Sequence, residues 1–239
     1  MEQMAEHTVR AYAEELRRLR EMVARMGGLA ERQVADATTA LVRRDAELAT
    51  EVMSRDAAID ALEAEIEAFC IRLLALRQPV GQDLRLIVAA MKIIHDIERI
   101  GDYARNAAKR AIVLAQQPAL GSLNGFQRMA RLVQENLKGA MDALVNDDAN
   151  RADEVWAADE PVDEVYNGIF REMLTFMMED PRNITAATHL LFVAKNLERI
   201  GDHATNIAET VHYAVSGETL AEERPKADSS AFAVARPPS

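Results

Sequence analysis

Four pairs of acidic side chains stand at i, i+4 spacing: Asp56/Asp60, Glu98/Asp102, Asp159/Asp163 and Glu198/Asp202. On a helix such pairs share one face, with Cβ atoms about 5–6 Å apart, and two like charges so placed repel. A hard cation held through carboxylate oxygens relieves that repulsion. The chemistry these residues could do is therefore oxygen-ligand metal binding; the bland alternative is a solvated acidic face, and Arg99 and Arg199 sit beside the two glutamates.

Chain breaks sharpen the first reading. In an antiparallel hairpin, residues equidistant from the turn become neighbours. Asp56 with Asp102, and Asp60 with Glu98, share a midpoint at Pro79; Asp159 with Asp202, and Asp163 with Glu198, share one between Asp180 and Pro181. The four carboxylates of each set should thus gather at one level of a helix pair, with no facing basic partner predicted, as an oxygen-rich metal site; the sequence does not choose among iron, zinc, manganese and magnesium.

Weaker features line the same stripe. Asn106 and Asn206 continue it at i+8. His95 precedes the first glutamate by three residues, but Lys195 stands at the equivalent place, so histidine is not a ligand common to both sets. Gly101 and Gly201 interrupt helical stretches at about 1 kcal/mol each relative to Ala, which points to close packing.

The elements that must position these residues read as helices throughout, with no sustained period-2 alternation. The expected helices run from about His7 to Arg44 (irregular at Gly27-Gly28), Asp45 to Gln78, Gln82 to Gln116, Leu123 to Val145, Ala149 to Glu179 and Ile184 to Val215. The order repeats: HDIERIGDYARNAA (His95 to Ala108) matches KNLERIGDHATNIA (Lys195 to Ala208) at an offset of 100. Upstream, RDAAIDALEAEI (Arg55 to Ile66) matches ADEPVDEVYNGI (Ala158 to Ile169) at an offset of 103. The expected fold class is all-α: two tandem antiparallel three-helix bundles, six helices related by internal duplication. The expected boundaries are 1–118, 119–216 and a disordered Pro-rich tail over 217–239.

Composition excludes several classes. A net charge of −11 disfavours nucleic acid. The single cysteine, Cys70, lies in an apolar run and reads as a core thiol; it rules out an internal disulfide framework. The start of the chain lacks the apolar run of a secretory signal, and no stretch is long and apolar enough to span a membrane, so the expected location is the cytoplasm. No phosphate-binding loop, dinucleotide fingerprint, HExxH or nucleophile elbow occurs. The lone ExxH, Glu209 to His212, lacks a second copy, and Met173, Met177 and Met178 read as core fill. An enzyme is not expected; a metal store, a carboxylate-bridged metalloenzyme and a plain helical scaffold are the competing classes.

The two ERIGD motifs, REMVARMGGLAERQ (Arg20 to Gln33), RQPVGQDLR (Arg77 to Arg85) and FMMEDPRNI (Phe176 to Ile184) together resemble the PhoU family, over about Glu6 to Val215. The resemblance implies a negative regulator of phosphate signalling and uptake. It implies a homodimeric adaptor contacting a phosphate-responsive sensor histidine kinase and the ATP-binding subunit of the phosphate ABC transporter. It further implies metal clusters on E(D)xxxD motifs, which map to Glu98, Asp102, Glu198 and Asp202, faced by Asp56, Asp60, Asp159 and Asp163.

Overall fold

The computed structural model describes residues 2–158 and 160–220, with side chains from residue 10 onward. Asp159 and most of the expected tail lie outside the described residues. Among those described there is no strand. The helices are α1 (Glu2–Arg43), α2 (Ala46–Arg77), α3 (Gly81–Ala115), α4 (Asn124–Asn146), α5 (Ala149–Ala157), α6 (Glu160–Glu179) and α7 (Ile184–Ser216), with a short 3-10 turn at Pro181–Asn183.

A stripe on α1 (Leu19, Val23, Met26, Ala30, Val34, Ala37, Leu41) recurs every three or four residues and is buried throughout. That period puts one continuous apolar face toward α2 and α3. Helices α1, α2 and α3 form one bundle, and α4, α5/α6 and α7 form the other. The bundles join chiefly along α3 and α7, with α1 against α4 beside them.

Duplication extends to the turns. Arg44 and Asp147 both adopt left-handed backbone, at φ 57° and 52°. The following aspartates return amide bonds to Ala40 and Ala143 and cap the next helix, Asp45 at the Leu48 amide and Asp148 at the Arg151 amide. Arg44 also donates to the carbonyls of Leu114, Ala115 and Gln117, which closes the C-terminal end of α3.

Two expectations are corrected. Helix α1 has no irregularity at Gly27-Gly28. The missing side chain at Gly27 admits Met141 of α4, whose Cε would stand 2.5 Å from a Cβ there. The single helix expected over Ala149 to Glu179 is instead α5 and α6, broken just before Pro161. Proline has no N–H to continue the ladder, and its ring would meet the carbonyl one turn back. Asn136 Nδ2 donates to the freed Ala158 carbonyl at 3.3 Å.

Candidate metal centres

Helices α2 and α3 meet closely beside Gly101, and α6 and α7 beside Gly201. A Cβ on Gly101 would stand 2.9 Å from Ile59 Cδ1 and 3.5 Å from Asp56 Oδ1; one on Gly201 would touch Val162 at 3.4 Å. The absent side chains let each acid-bearing pair approach closely.

In the first repeat Asp56 is 3% exposed and fully partnered. Gln33 Nε2 on α1 donates to its Oδ1 at 2.9 Å and to the Gly101 carbonyl at 3.2 Å. Arg105 completes the set: Nη1 lies 2.7 Å from Asp56 Oδ2, and Nη2 lies 2.8 Å from Asp102 Oδ1. This corrects the expectation that no basic group faces the carboxylates, because Arg105, one turn beyond Asp102, spans α3 and α2. Burial raises Asp56 above the usual carboxylate range, against the pull of Gln33 and Arg105. Asp60 points to solvent. Glu98 is half-buried and is raised by burial first and by Asp102 second. Its near companions are Glu63 of α2 and His95, the three offering donor atoms within 4.8 Å of one another.

In the second repeat Asp163 and Glu198 are both buried, at 5% and 8% exposure. Burial raises Glu198 most, and Asp202 raises it further. Lys195 Nζ holds Glu198 Oε1 at 2.9 Å and lies over the Tyr166 ring, 4.9 Å from its centroid. Where Arg105 stands in the first repeat, this one has Thr205, whose hydroxyl donates to the Gly201 carbonyl at 3.1 Å.

One feature is common to both halves. Glu98 Oε2 and Glu198 Oε2 are buried and have no hydrogen-bond partner among the described residues. Arg99 Nε at 3.4 Å and Arg199 Nε at 3.9 Å are the flanking charges. An orphaned carboxylate oxygen facing further acids fits a cation held by oxygen, more closely than at Asp56, whose oxygens are both engaged. Gln33, Glu63 and Arg105 escaped the sequence reading because their role depends on which neighbouring helix each reaches.

The PhoU domain family matches this chain twice, over residues 23–111 and 126–211. A Caulobacter vibrioides protein named phosphate-specific transport system accessory protein PhoU homolog is 55% identical over 94% of this chain and 98% of its own length. A Rhizobium meliloti relative of the same name is 46% identical over 93% of this chain and 94% of its own. The crystal structure of PhoU from Pseudomonas aeruginosa superimposes with a TM-score of 0.82 at 42% identity, covering 87% of this chain and all 100% of that one. PhoU from Streptococcus pneumoniae, titled a phosphate transport system regulatory protein, gives 0.81 at 29% identity over 87% of this chain and 99% of its own. Among the described residues no helix is long and apolar enough to cross a membrane.

Proposed function

This chain belongs to the PhoU family, and on that premise we propose that it is an accessory regulator of phosphate transport, acting as a helical adaptor in the cytoplasm. The observation that carries the reading is identity of 55% along nearly the whole chain to a relative named as an accessory protein of the phosphate-specific transport system. In this reading the chain keeps the phosphate-responsive sensor kinase in its repressing state when phosphate is plentiful. It restrains the transporter by contact with the ATP-binding subunit, and works as a homodimer without enzymatic turnover.

Divalent or trivalent metal belongs to the proposal as a brace. Glu98 with Asp102 and Glu198 with Asp202 would supply its oxygens, with Asp56 and Asp163 as buried carboxylates on the paired helices and Asp60 toward solvent. The orphaned glutamate oxygens support it; Arg105 weighs against Asp56 as a ligand while its guanidinium stays in place. A bound cation would neutralise carboxylates that burial holds in a costly charged state.

Deleting the gene and following phosphate-regulated promoters and phosphate uptake in rich phosphate tests the regulatory role; derepression is expected, and unchanged expression would overturn it. Affinity capture from the native host should recover the kinase and the transporter ATPase. Elemental analysis of protein purified without chelator or metal resin tests the brace. Metal content should fall in Glu98→Ala/Asp102→Ala and in Glu198→Ala/Asp202→Ala, and full retention would remove the ligand assignment.

A further inference from the structure

The two repeats carry different basic residues along their acidic stripes. In the first, Arg105 takes the aspartate end, bridging Asp56 and Asp102. In the second, Thr205 occupies the position of Arg105, and Lys195 holds Glu198 while packed over Tyr166. The first-repeat counterparts of Lys195 and Tyr166, by the offsets of 100 and 103, are His95 and Glu63. Where one half installs an ammonium and an aromatic face, the other installs an imidazole and a further carboxylate.

We propose that Glu63, His95 and Glu98 form a mixed nitrogen and oxygen site for a divalent transition metal of the zinc class, present in the first repeat alone. His95 and Glu98 are three residues apart on α3 and so share a face; Glu63 meets them from α2. His95 Nδ1 lies 3.6 Å from Glu63 Oε1, close to the ~3.4 Å separating two ligands of a tetrahedral zinc with bonds of 2.0–2.1 Å. All three residues offer a donor atom within 4.8 Å of the others.

Two further observations point to a cation here. Glu98 Oε2 is buried without a hydrogen bond. At the matching point of the second repeat the protein supplies its own cation, Lys195 Nζ, 2.9 Å from Glu198. Arg99 is the fixed positive charge nearest Glu98, yet it is 45% exposed and divided between Glu98 at 3.4 Å and Asp102 at 3.5 Å. With His95 60% exposed, the site opens to solvent. Three protein ligands and a solvent-facing fourth position make an open zinc-type centre, whereas a structural site is closed by four. Harder ions such as magnesium would favour the all-oxygen carboxylates instead.

The inference shares Glu98 with the carboxylate brace but needs neither Glu63 nor His95 to belong to it, and the test separates the two. Full-length protein, stripped of metal with chelator, is titrated with Co(II) read by its ligand-field absorption, then with Zn(II) in competition. Wild type should take up one Co(II) in a low-coordinate environment that Zn(II) displaces. His95→Lys, which copies the second repeat, and Glu63→Gln should each weaken that equivalent at least ~10-fold with helicity unchanged. Glu198→Gln/Asp202→Asn should leave it intact. Wild-type affinity in both His95→Lys and Glu63→Gln overturns the site, as does a wild type that binds no Co(II). Metal lost only in Glu198→Gln/Asp202→Asn sinks this site and spares the brace; metal lost only in the first two variants does the reverse for the second repeat.

Discussion

Arg105 Nη1 lies 2.7 Å from Asp56 Oδ2, tying α3 to a carboxylate of α2 that is almost wholly out of solvent. Removing one member of a buried pair strands the other's charge, which costs more than the pair was worth. Arg105 is itself 41% exposed, so water recovers part of the loss. Arg105→Ala should therefore cost about 2 kcal/mol in urea denaturation at neutral pH. The matched change Thr205→Val exchanges the hydroxyl, which donates to the Gly201 carbonyl, for a methyl of similar size and should cost about 1 kcal/mol. Equal costs for the two would show that Asp56 does not depend on the guanidinium.

Stability should rise as the solution is mildly acidified. Glu98 and Glu198 have folded-state pKa values above the ordinary one, because burial disfavours their charged form. The folded state then holds protons at a pH where the unfolded chain has released them. Stability from these groups is present at low pH and is lost as pH rises from the ordinary carboxylate range through the raised values. Glu15, beside Arg77, and Asp180, beside Arg182, are shifted the other way. Their contribution disappears only below the ordinary range, so the thermal midpoint should climb as pH falls from neutral toward the ordinary carboxylate range and drop in stronger acid. Glu198→Gln should raise the midpoint at pH 7 and flatten the climb; a midpoint that falls steadily from pH 7 downward contradicts the assignment.

Much of this fold was legible because its physics is local. The prolines at 79, 118 and 181 mark helix ends, and repeated motifs announce the duplication. What stayed hidden depends on partners from other helices. Gly27-Gly28 looked like a flaw in α1 until Met141 was seen against Gly27. Pro161 is a readable signal for the break between α5 and α6 that the expected single helix did not include. Arg105 and Gln33 were invisible as site residues because spacing fixes a helix face and level, not how far a long side chain reaches. His95 was set aside because Lys195 replaces it; the replacement was itself the signal that the halves had diverged.

The paired glycines should respond differently to the same substitution. A methyl on Gly201 would make ordinary contact with Val162 at 3.4 Å, so Gly201→Ala should gain up to about 1 kcal/mol from helix propensity. A methyl on Gly101 would stand 2.9 Å from Ile59 Cδ1, and Ile59 is 1% exposed with little room to turn aside. Overpacking of this kind costs roughly 1–3 kcal/mol, enough to cancel or exceed the propensity gain. Denaturation midpoints should rank Gly201→Ala above wild type and Gly101→Ala at or below it; a Gly101→Ala protein more stable than Gly201→Ala would contradict the packing.

The two bundles should unfold together. Their shared face carries a hydrogen bond between His203 Nδ1 and Asp96 Oδ1 at 2.7 Å, with His203 18% and Asp96 15% exposed. Tyr103 packs its ring 5.6 Å from that of His203, and Arg110 lies over the Phe192 ring at 4.4 Å while meeting His189 at 3.2 Å. Buried residues such as Ile93, Ile97 and Ile100 on α3, and Val193, Ile200 and Ile207 on α7, pack into one continuous core. Exposing such a face costs more than most domain junctions can bear, because obligate apolar interfaces behave like cores cut in half. The single tryptophan, Trp156 on α5, reports the second repeat alone, whereas far-UV ellipticity reports all helices. The two signals should trace one urea transition in wild type. Asp96→Ala removes this hydrogen bond and should lower stability by about 1–2 kcal/mol while the signals still coincide. If Trp156 fluorescence changes at a different urea concentration from ellipticity in wild type, the repeats are independent domains and the α3/α7 face does not couple them.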